Sequence, residues 1–357
     1  MTSSRSNVRR IRVAIANDTL IALEALRRVI ATDPNYELIW TAKDGAQAVE
    51  KCQRDRPDLI LMDLLMPQLD GVEATRQIMA QSPCAILIVT ASVDRNTSKV
   101  FEAMGHGALD VITTPILGLA SRQPAPEAAR PLLAKMATLR TLISQPTTAN
   151  VPLGHRLSQP PSTPKLIILG ASTGGPKALA KILAQIPSKS TAAVMFVQHI
   201  DPQFAAGLAT WLNSQTQVPV VLAKAGDAPQ PGKVLMAQAK HHLIMQGDRT
   251  LAYTPTDAGI PYTPSVDVFF KSVAAHWPSP GTAILLTGMG RDGAAGLHTL
   301  RNAGWHTIAE SQQSCVVYGM PRAAIESGAA CSVLSVEAIA TGFPEKFTQT
   351  YHHTRQA

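Results

Sequence analysis

The sequence predicts an α/β protein of two units, each an open, largely parallel sheet covered by helices. Three observations predict it. Short β-rich runs alternate with helical patterns from residue 11 onward, and several of these runs are continuously apolar, as strands buried on both faces are. A Pro-, Thr- and Ser-rich stretch without periodicity separates one alternating series from another. The length agrees, because 357 residues with 45% hydrophobic content suffice for two ordinary cores.

In the first series RVAIA leads into LIALEALRRVI, where Leu23, Leu26, Val29 and Ile30 form one apolar face. YELIWTA, GAQAVEKCQ, DLILMD, GVEATRQIMA, AILIVTA, TSKVFEAM and ALDVIT follow, giving five strands alternating with helices. A helical pattern around PLLAKMATLRTLI closes the unit. The boundaries expected are a tail at 1–10, a first domain at 11–145, a linker at 146–163, a second domain at 164–347 and a tail at 348–357. The second series runs through KLIILG, AAVMFVQH, VPVVLA, KVLMAQ, HHLIM, TAILLTG and WHTIAE, with a two-stranded insertion expected within 232–254.

Composition excludes several function classes. The four cysteines form no CxxC pair, which fits reduced thiols in a cytoplasmic protein better than a disulfide framework or a zinc site. The histidines form no HExxH, and the neighbours His241 and His242 would point to opposite sides of a strand. No apolar run approaches the ~20 residues that span a bilayer, so no membrane insertion is expected. The formal charge is +7, but the basic residues are dispersed and aromatics make up only 4% of the chain; a nucleic-acid partner is not expected.

In open parallel sheets function gathers at the carboxyl ends of strands. Asp18 ends the first strand, Asp63 the third and Thr90 the fourth. Two carboxylates at adjacent strand ends suit Mg²⁺, and a hydroxyl at Thr90 could meet a phosphate oxygen. The bland alternatives are that Asp18 caps a helix and Asp63 serves a turn.

Together with the MP and DG that follow Asp63, this set resembles a response-regulator receiver domain over about residues 10–118. The resemblance implies a flavodoxin-like (βα)5 fold. It makes Asp63 the phosphoryl acceptor, Asp18 and Asp63 Mg²⁺ ligands with the Leu65 carbonyl, and Thr90 the switch hydroxyl. Two residues depart from the pattern. Asn17-Asp18 stands where receivers carry an acidic pair, and Thr114-Pro115 where they carry Lys-Pro. Asn17 removes a negative charge from the metal site, and Thr114 cannot supply the cation that clamps a phosphoryl group.

In the second unit, Gly170-Ala171-Ser172-Thr173-Gly174 matches G-x-S-x-G, a sharp strand-to-helix turn that exposes a serine hydroxyl. A phosphate loop needs lysine after the last glycine, where Pro176 stands. The turn therefore reads as aiming a nucleophile. A serine needs a base and an orienter. His199 ends AAVMFVQH and Asp292 follows TAILLTG, both at strand carboxyl ends of the same predicted sheet. The Met289 and Thr173 amides are candidate oxyanion donors. His276, His298 and His306 read as structural, and PSVDVFF as a helix start capped by Ser265 or Asp267.

GASTGG, VQH, PSVDVFF, LTGMGRDGAAGL and VVYGMPRAA together resemble the catalytic domain of the chemotaxis protein-glutamate methylesterases, the CheB family, over residues 164 to about 345. The resemblance implies a doubly wound parallel sheet and Ser172, His199 and Asp292 as nucleophile, base and orienter, with the Met289 amide in the oxyanion hole. It also implies hydrolysis of glutamyl methyl esters on methyl-accepting chemoreceptors, possible deamidation of receptor glutamines, no cofactor for the esterase, and a CheA-type histidine kinase as partner. IANDTLIALEAL, CAILIVT and MGHGALDVITTP resemble the branch of the family that serves the Wsp surface-sensing pathway, whose receivers also lack the Asp pair and the lysine. The rival reading, a non-enzymatic regulator whose second half only binds protein or nucleic acid, would be favoured by a helix-turn-helix after the linker, and the sequence carries none.

Overall fold

The computed structural model describes residues 9–91, 97–115, 126–143, 165–256, 259–344 and 347. The expected linker and C-terminal tail lie outside them. The chain divides into two compact units, 1–146 and 147–357.

The first unit contains β1 (Ile11–Ala16), α1 (Leu20–Ala31), β2 (Tyr36–Ala42), α2 (Gly45–Arg54), β3 (Leu59–Met62), α3 (Gly71–Gln81), β4 (Ala85–Thr90), α4 (Thr97–His106), β5 (Asp110–Thr113) and α5 (Pro126–Ile143). Its sheet is parallel, in the order β2-β1-β3-β4-β5. That order reverses between β1 and β3, the crevice where doubly wound sheets bind ligands. Asp18 and Asp63 follow those two strands. β3 is buried at all four residues, because helices cover both faces.

The second unit contains β6 (Leu166–Ala171), α6 (Gly175–Leu183), β7 (Ala193–Gln198), α7 (Pro202–Ser214), β8 (Val220–Leu222), β9 (Val234–Met236), β10 (His242–Met245), β11 (Leu251–Thr254), α8 (Val266–His276), β12 (Thr282–Leu285), α9 (Ala294–Asn302), β13 (His306–Glu310), α10 (Met320–Glu326), β14 (Ser332–Leu334) and α11 (Val336–Gly342). A seven-stranded parallel sheet has the order β14-β13-β12-β6-β7-β9-β8. Its reversal lies between β6 and β12, and Ser172, His199 and Asp292 follow β6, β7 and β12. Trp305, Phe269, Phe270 and the inward residues of β7 and β12 build one core.

The expected two-stranded insertion is present as the hairpin β10–β11, narrower than the range given for it. β9 is not part of it: all three of its residues are buried and it pairs with β7 and β8, as a continuously apolar strand does in a parallel sheet. β14 went unread because it is a three-residue edge strand, too short for Val333 and Leu334 to stand out as an apolar run. Among the described residues no helix is long and apolar enough to cross a membrane.

One close approach ties the sheet to α8. A Cβ on Gly170 would lie 2.3 Å from Val266 Cγ1, and a Cβ on Gly293 would lie 2.7 Å from the same atom. Gly170→Ala should therefore cost about 1–3 kcal/mol by overpacking. Adding Val266→Ala removes the clashing methyls, so the double variant should lose less than the sum of the singles, by roughly 1 kcal/mol. Calorimetry on the two singles and the double checks this; strictly additive losses would show that the helix is not held by this contact.

Candidate active site

β6 delivers the chain into Ser172, Thr173 and Gly174. Gly174 caps α6 at φ +79°, a conformation that side chains with a Cβ resist, and a Cβ there would also come within 2.5 Å of Val316. Pro176 sits in the first turn of α6, where its missing N–H costs nothing. The parallel register pairs Ala171 with Gln198, which sets Ser172 beside His199; the His199 amide donates to the Ala171 carbonyl at 2.9 Å. From the other side, Gly288 packs so closely that a Cβ there would meet Ser172 Cβ at 2.7 Å. The three strand ends converge as the sequence predicts.

His199 Nε2 lies 2.8 Å from Asp292 Oδ2, with both side chains nearly buried. An ionised carboxylate only accepts, so Nε2 carries the proton and Nδ1 keeps the lone pair. Nδ1 is buried and has no hydrogen-bond partner among the described residues. Its lone pair is therefore unclaimed by any described group. The nitrogen that faces the carboxylate is thus the opposite one from that in chymotrypsin-type triads.

Asp292 accepts three further hydrogen bonds: from Ser265 Oγ at 2.8 Å and the Asp267 amide at 3.1 Å on Oδ1, and from the Val266 amide at 2.7 Å on Oδ2. The first-turn amides of α8 point at the charge, as helix N-termini favour. Burial alone would raise the Asp292 pKa, but the bonds from His199, Ser265 and Val266 hold it below the ordinary carboxylate range. Ser265 is also the N-cap, through the Val268 amide. The capping reading of PSVDVFF is therefore incomplete: Ser265 caps the helix and also donates to the Asp292 carboxylate. A short N-cap motif carries no sequence mark of the second role.

The Thr173 and Met289 amides make no hydrogen bond among the described residues. Thr287 fixes the turn between them. Its carbonyl accepts from the Ser172 amide at 3.0 Å and its hydroxyl donates to the Thr173 carbonyl at 2.9 Å. Its own amide donates to the buried Glu310 carboxylate at 2.8 Å. Sequence reasoning missed Thr287 and Glu310, because neither belongs to a catalytic motif. Tyr262, also missed, stacks on the His199 ring at 4.8 Å. His298 is exposed and His306 is buried against Ser332, as the structural reading expects.

In the first unit, Asp63 Oδ1 accepts from the Leu64 amide at 2.7 Å and Oδ2 from Asn17 Nδ2 at 3.0 Å. Asp18 is exposed, and the helix cap is Thr19, so the capping alternative for Asp18 fails. Thr90 is buried, and Thr114 lies beside it, its amide donating to the Thr90 carbonyl at 2.9 Å. Burial, and secondarily the Asp18 charge, push the Asp63 pKa up to about 6. Leu65 is half exposed in the loop after Asp63.

That shift has a sign. The folded state binds the Asp63 proton more tightly than the unfolded chain does, so ionising it costs stability. Stability of the first unit should fall as pH rises from about 4 through about 6 and stay lower above. Carboxyl NMR titration in EDTA should find Asp63 titrating near 6, and Asp18→Asn should move it down. Titration near the ordinary carboxylate value would remove the argument.

Two families match the chain: residues 167–343 match the CheB methylesterase family and residues 13–118 the response regulator receiver domain. The chain is 48% identical over 340 residues to a Pseudomonas aeruginosa PAO1 protein named protein-glutamate methylesterase/protein-glutamine glutaminase 3, covering 94% of this chain and 99% of that one. It is 49% identical over 339 residues to a protein of the same name from Pseudomonas savastanoi pv. phaseolicola, covering 95% and 100%. A Cupriavidus metallidurans protein named protein-glutamate methylesterase/protein-glutamine glutaminase 2 is 48% identical over 329 residues, covering 92% and 96%. With full-length relatives at this identity and both halves matched, the chain belongs to the CheB methylesterases that carry a response-regulator receiver domain.

Proposed function

We propose that this chain hydrolyses glutamyl γ-methyl esters on the cytoplasmic helices of methyl-accepting chemoreceptors, through Ser172, His199 and Asp292. The observation that carries the reading is a nearly buried His199 whose Nε2 is held by a fully hydrogen-bonded Asp292, beside a serine on a strand-end turn. Ser172 Oγ attacks the ester carbonyl while His199 Nδ1 takes its proton. The oxyanion is met by the Thr173 and Met289 amides, and Asp292 stabilises the imidazolium. The tetrahedral intermediate then expels methoxide, which takes the proton from His199 and leaves as methanol. Water enters, gives a proton to Nδ1 and attacks the acyl-enzyme, releasing the γ-carboxylate and restoring Ser172. A receptor glutamine differs only in leaving as ammonia, so deamidation follows the same path.

The receiver half fits a cytoplasmic two-component setting with a CheA-type histidine kinase, and the Asn17 and Thr114 departures favour a Wsp-like pathway. Asp63 is the phosphoryl acceptor in this reading. Mg²⁺ binds with one or two carboxylates and several waters, and the residues present fit that pattern. Asp63 and Asp18 would hold it with the Leu65 carbonyl, and it would supply charge neutralisation for the incoming phosphoryl group.

Methanol release from methylated receptor membranes tests the esterase. Ser172→Ala should lower turnover by roughly 10³-fold or more, and adding His199→Ala should cost little beyond that, because triad members act as a unit. Multiplying losses would mean that the two residues do not work together. For the receiver, acetyl phosphate with Mg²⁺ should activate the intact chain only weakly, and Thr114→Lys should strengthen the response by restoring the missing cation. Strong activation of the unaltered chain would show that the cation is supplied elsewhere.

A further inference from the structure

We propose that Tyr262 is a positioning residue for the esterase, fixing the plane of His199 and bracing the loop that carries the Met289 amide. The inference rests on the esterase reading above. The Tyr262 and His199 rings stack with centroids 4.8 Å apart and planes 3° from parallel. A carboxylate at Nε2 restrains one edge of an imidazole, but torsions of planar rings are broad and one edge does not define the plane. The stacked phenol does. It covers one face of a base whose side chain is only 10% exposed, and with the plane fixed, the Nδ1 lone pair has one direction.

The same side chain reaches the oxyanion side. A Cβ on Gly290 would fall 2.3 Å from the Tyr262 hydroxyl, so the phenol tip lies against the Gly290 backbone, directly after Met289. Gly290 has φ +85°, and the tight approach and that conformation together demand glycine. Tyr262 is three residues ahead of Ser265, which bonds Asp292. One segment, 262–267, therefore sets the carboxylate, the base plane and the oxyanion loop together.

The test compares the full-length wild type with Tyr262→Phe and Tyr262→Leu, by methanol release and by the rate of fluorophosphonate labelling of Ser172. The leucine variant should lose about 10–100-fold in kcat and in labelling rate, with KM within about twofold, because misplacing a catalytic group costs the chemical step and not binding. The phenylalanine variant keeps the stack on His199 but loses the hydroxyl that lies against Gly290, so it should lose about three- to tenfold, clearly less than leucine. In the wild type, and in Tyr262→Phe, the His199 imidazole protons should show the upfield NMR shift of a stacked ring, a signature that needs no leucine variant to fold. Three results overturn the proposal: a leucine variant as active as wild type, a phenylalanine variant as damaged as leucine, or wild-type His199 protons without a ring-current shift. A wild type that neither releases methanol nor labels overturns the esterase reading instead.

Discussion

The arrangement in the second unit depends on the charge of one buried carboxylate. Asp292 is stripped of water, and an ionised group in that position must be repaid with hydrogen bonds or it takes up a proton. Four donors meet it: Ser265, the Val266 and Asp267 amides, and His199. Three of them come from the start of α8, so satisfying the charge also pins that helix to the loop after β12. The pinning works only because Gly170 and Gly293 leave room for Val266 between them. The fourth donor is His199, the proposed general base. Charge compensation, helix docking and the choice of imidazole tautomer are thus one interaction seen from three sides.

The receiver carboxylate shows the opposite balance. Asp63 also ends a parallel strand next to a sheet reversal, yet it has one short amide bond and one side-chain amide, with Asp18 nearby. Its pKa rises where that of Asp292 falls. An undercompensated carboxylate is disposed to bind a cation or to lose its charge, whereas a saturated one is suited to hold a neighbour still. Two aspartates at equivalent places in two α/β sheets are fitted to different work by the number of donors around them.

Behind Ser172, Thr287 and Glu310 make a second support. The threonine joins β12 to the serine turn by two hydrogen bonds, and the glutamate fixes the threonine amide. Burial raises the Glu310 pKa, while the Thr287 and Ser314 bonds oppose that rise. The turn is held by the carbonyl and hydroxyl of a residue just past β12, more than a hundred residues away in the chain.

Much of this was legible in the sequence. Continuous apolar runs announced the central strands, G-x-S-x-G the turn, and single polar residues at the ends of such runs marked Ser172, His199, Asp292, Asp18 and Asp63, because a parallel sheet sends its functional groups to one edge. Glycine with proline at the helix start decided between nucleophile and phosphate loop. Signals local in the chain were sufficient for these. Strand order was not among them: whether β9 joined the main sheet or the hairpin, and that β14 existed at all, depended on partners distant in sequence. The same reason hid Tyr262, Thr287 and Glu310 and the second role of Ser265. Each acts through a neighbour brought up by the fold, and a residue whose function lies in what it touches leaves no pattern in its own stretch of chain. The sequence determined which side chains could do chemistry; the tertiary structure decided which nitrogen of His199 faces the carboxylate, since only packing around Asp292 and Tyr262 sets the ring.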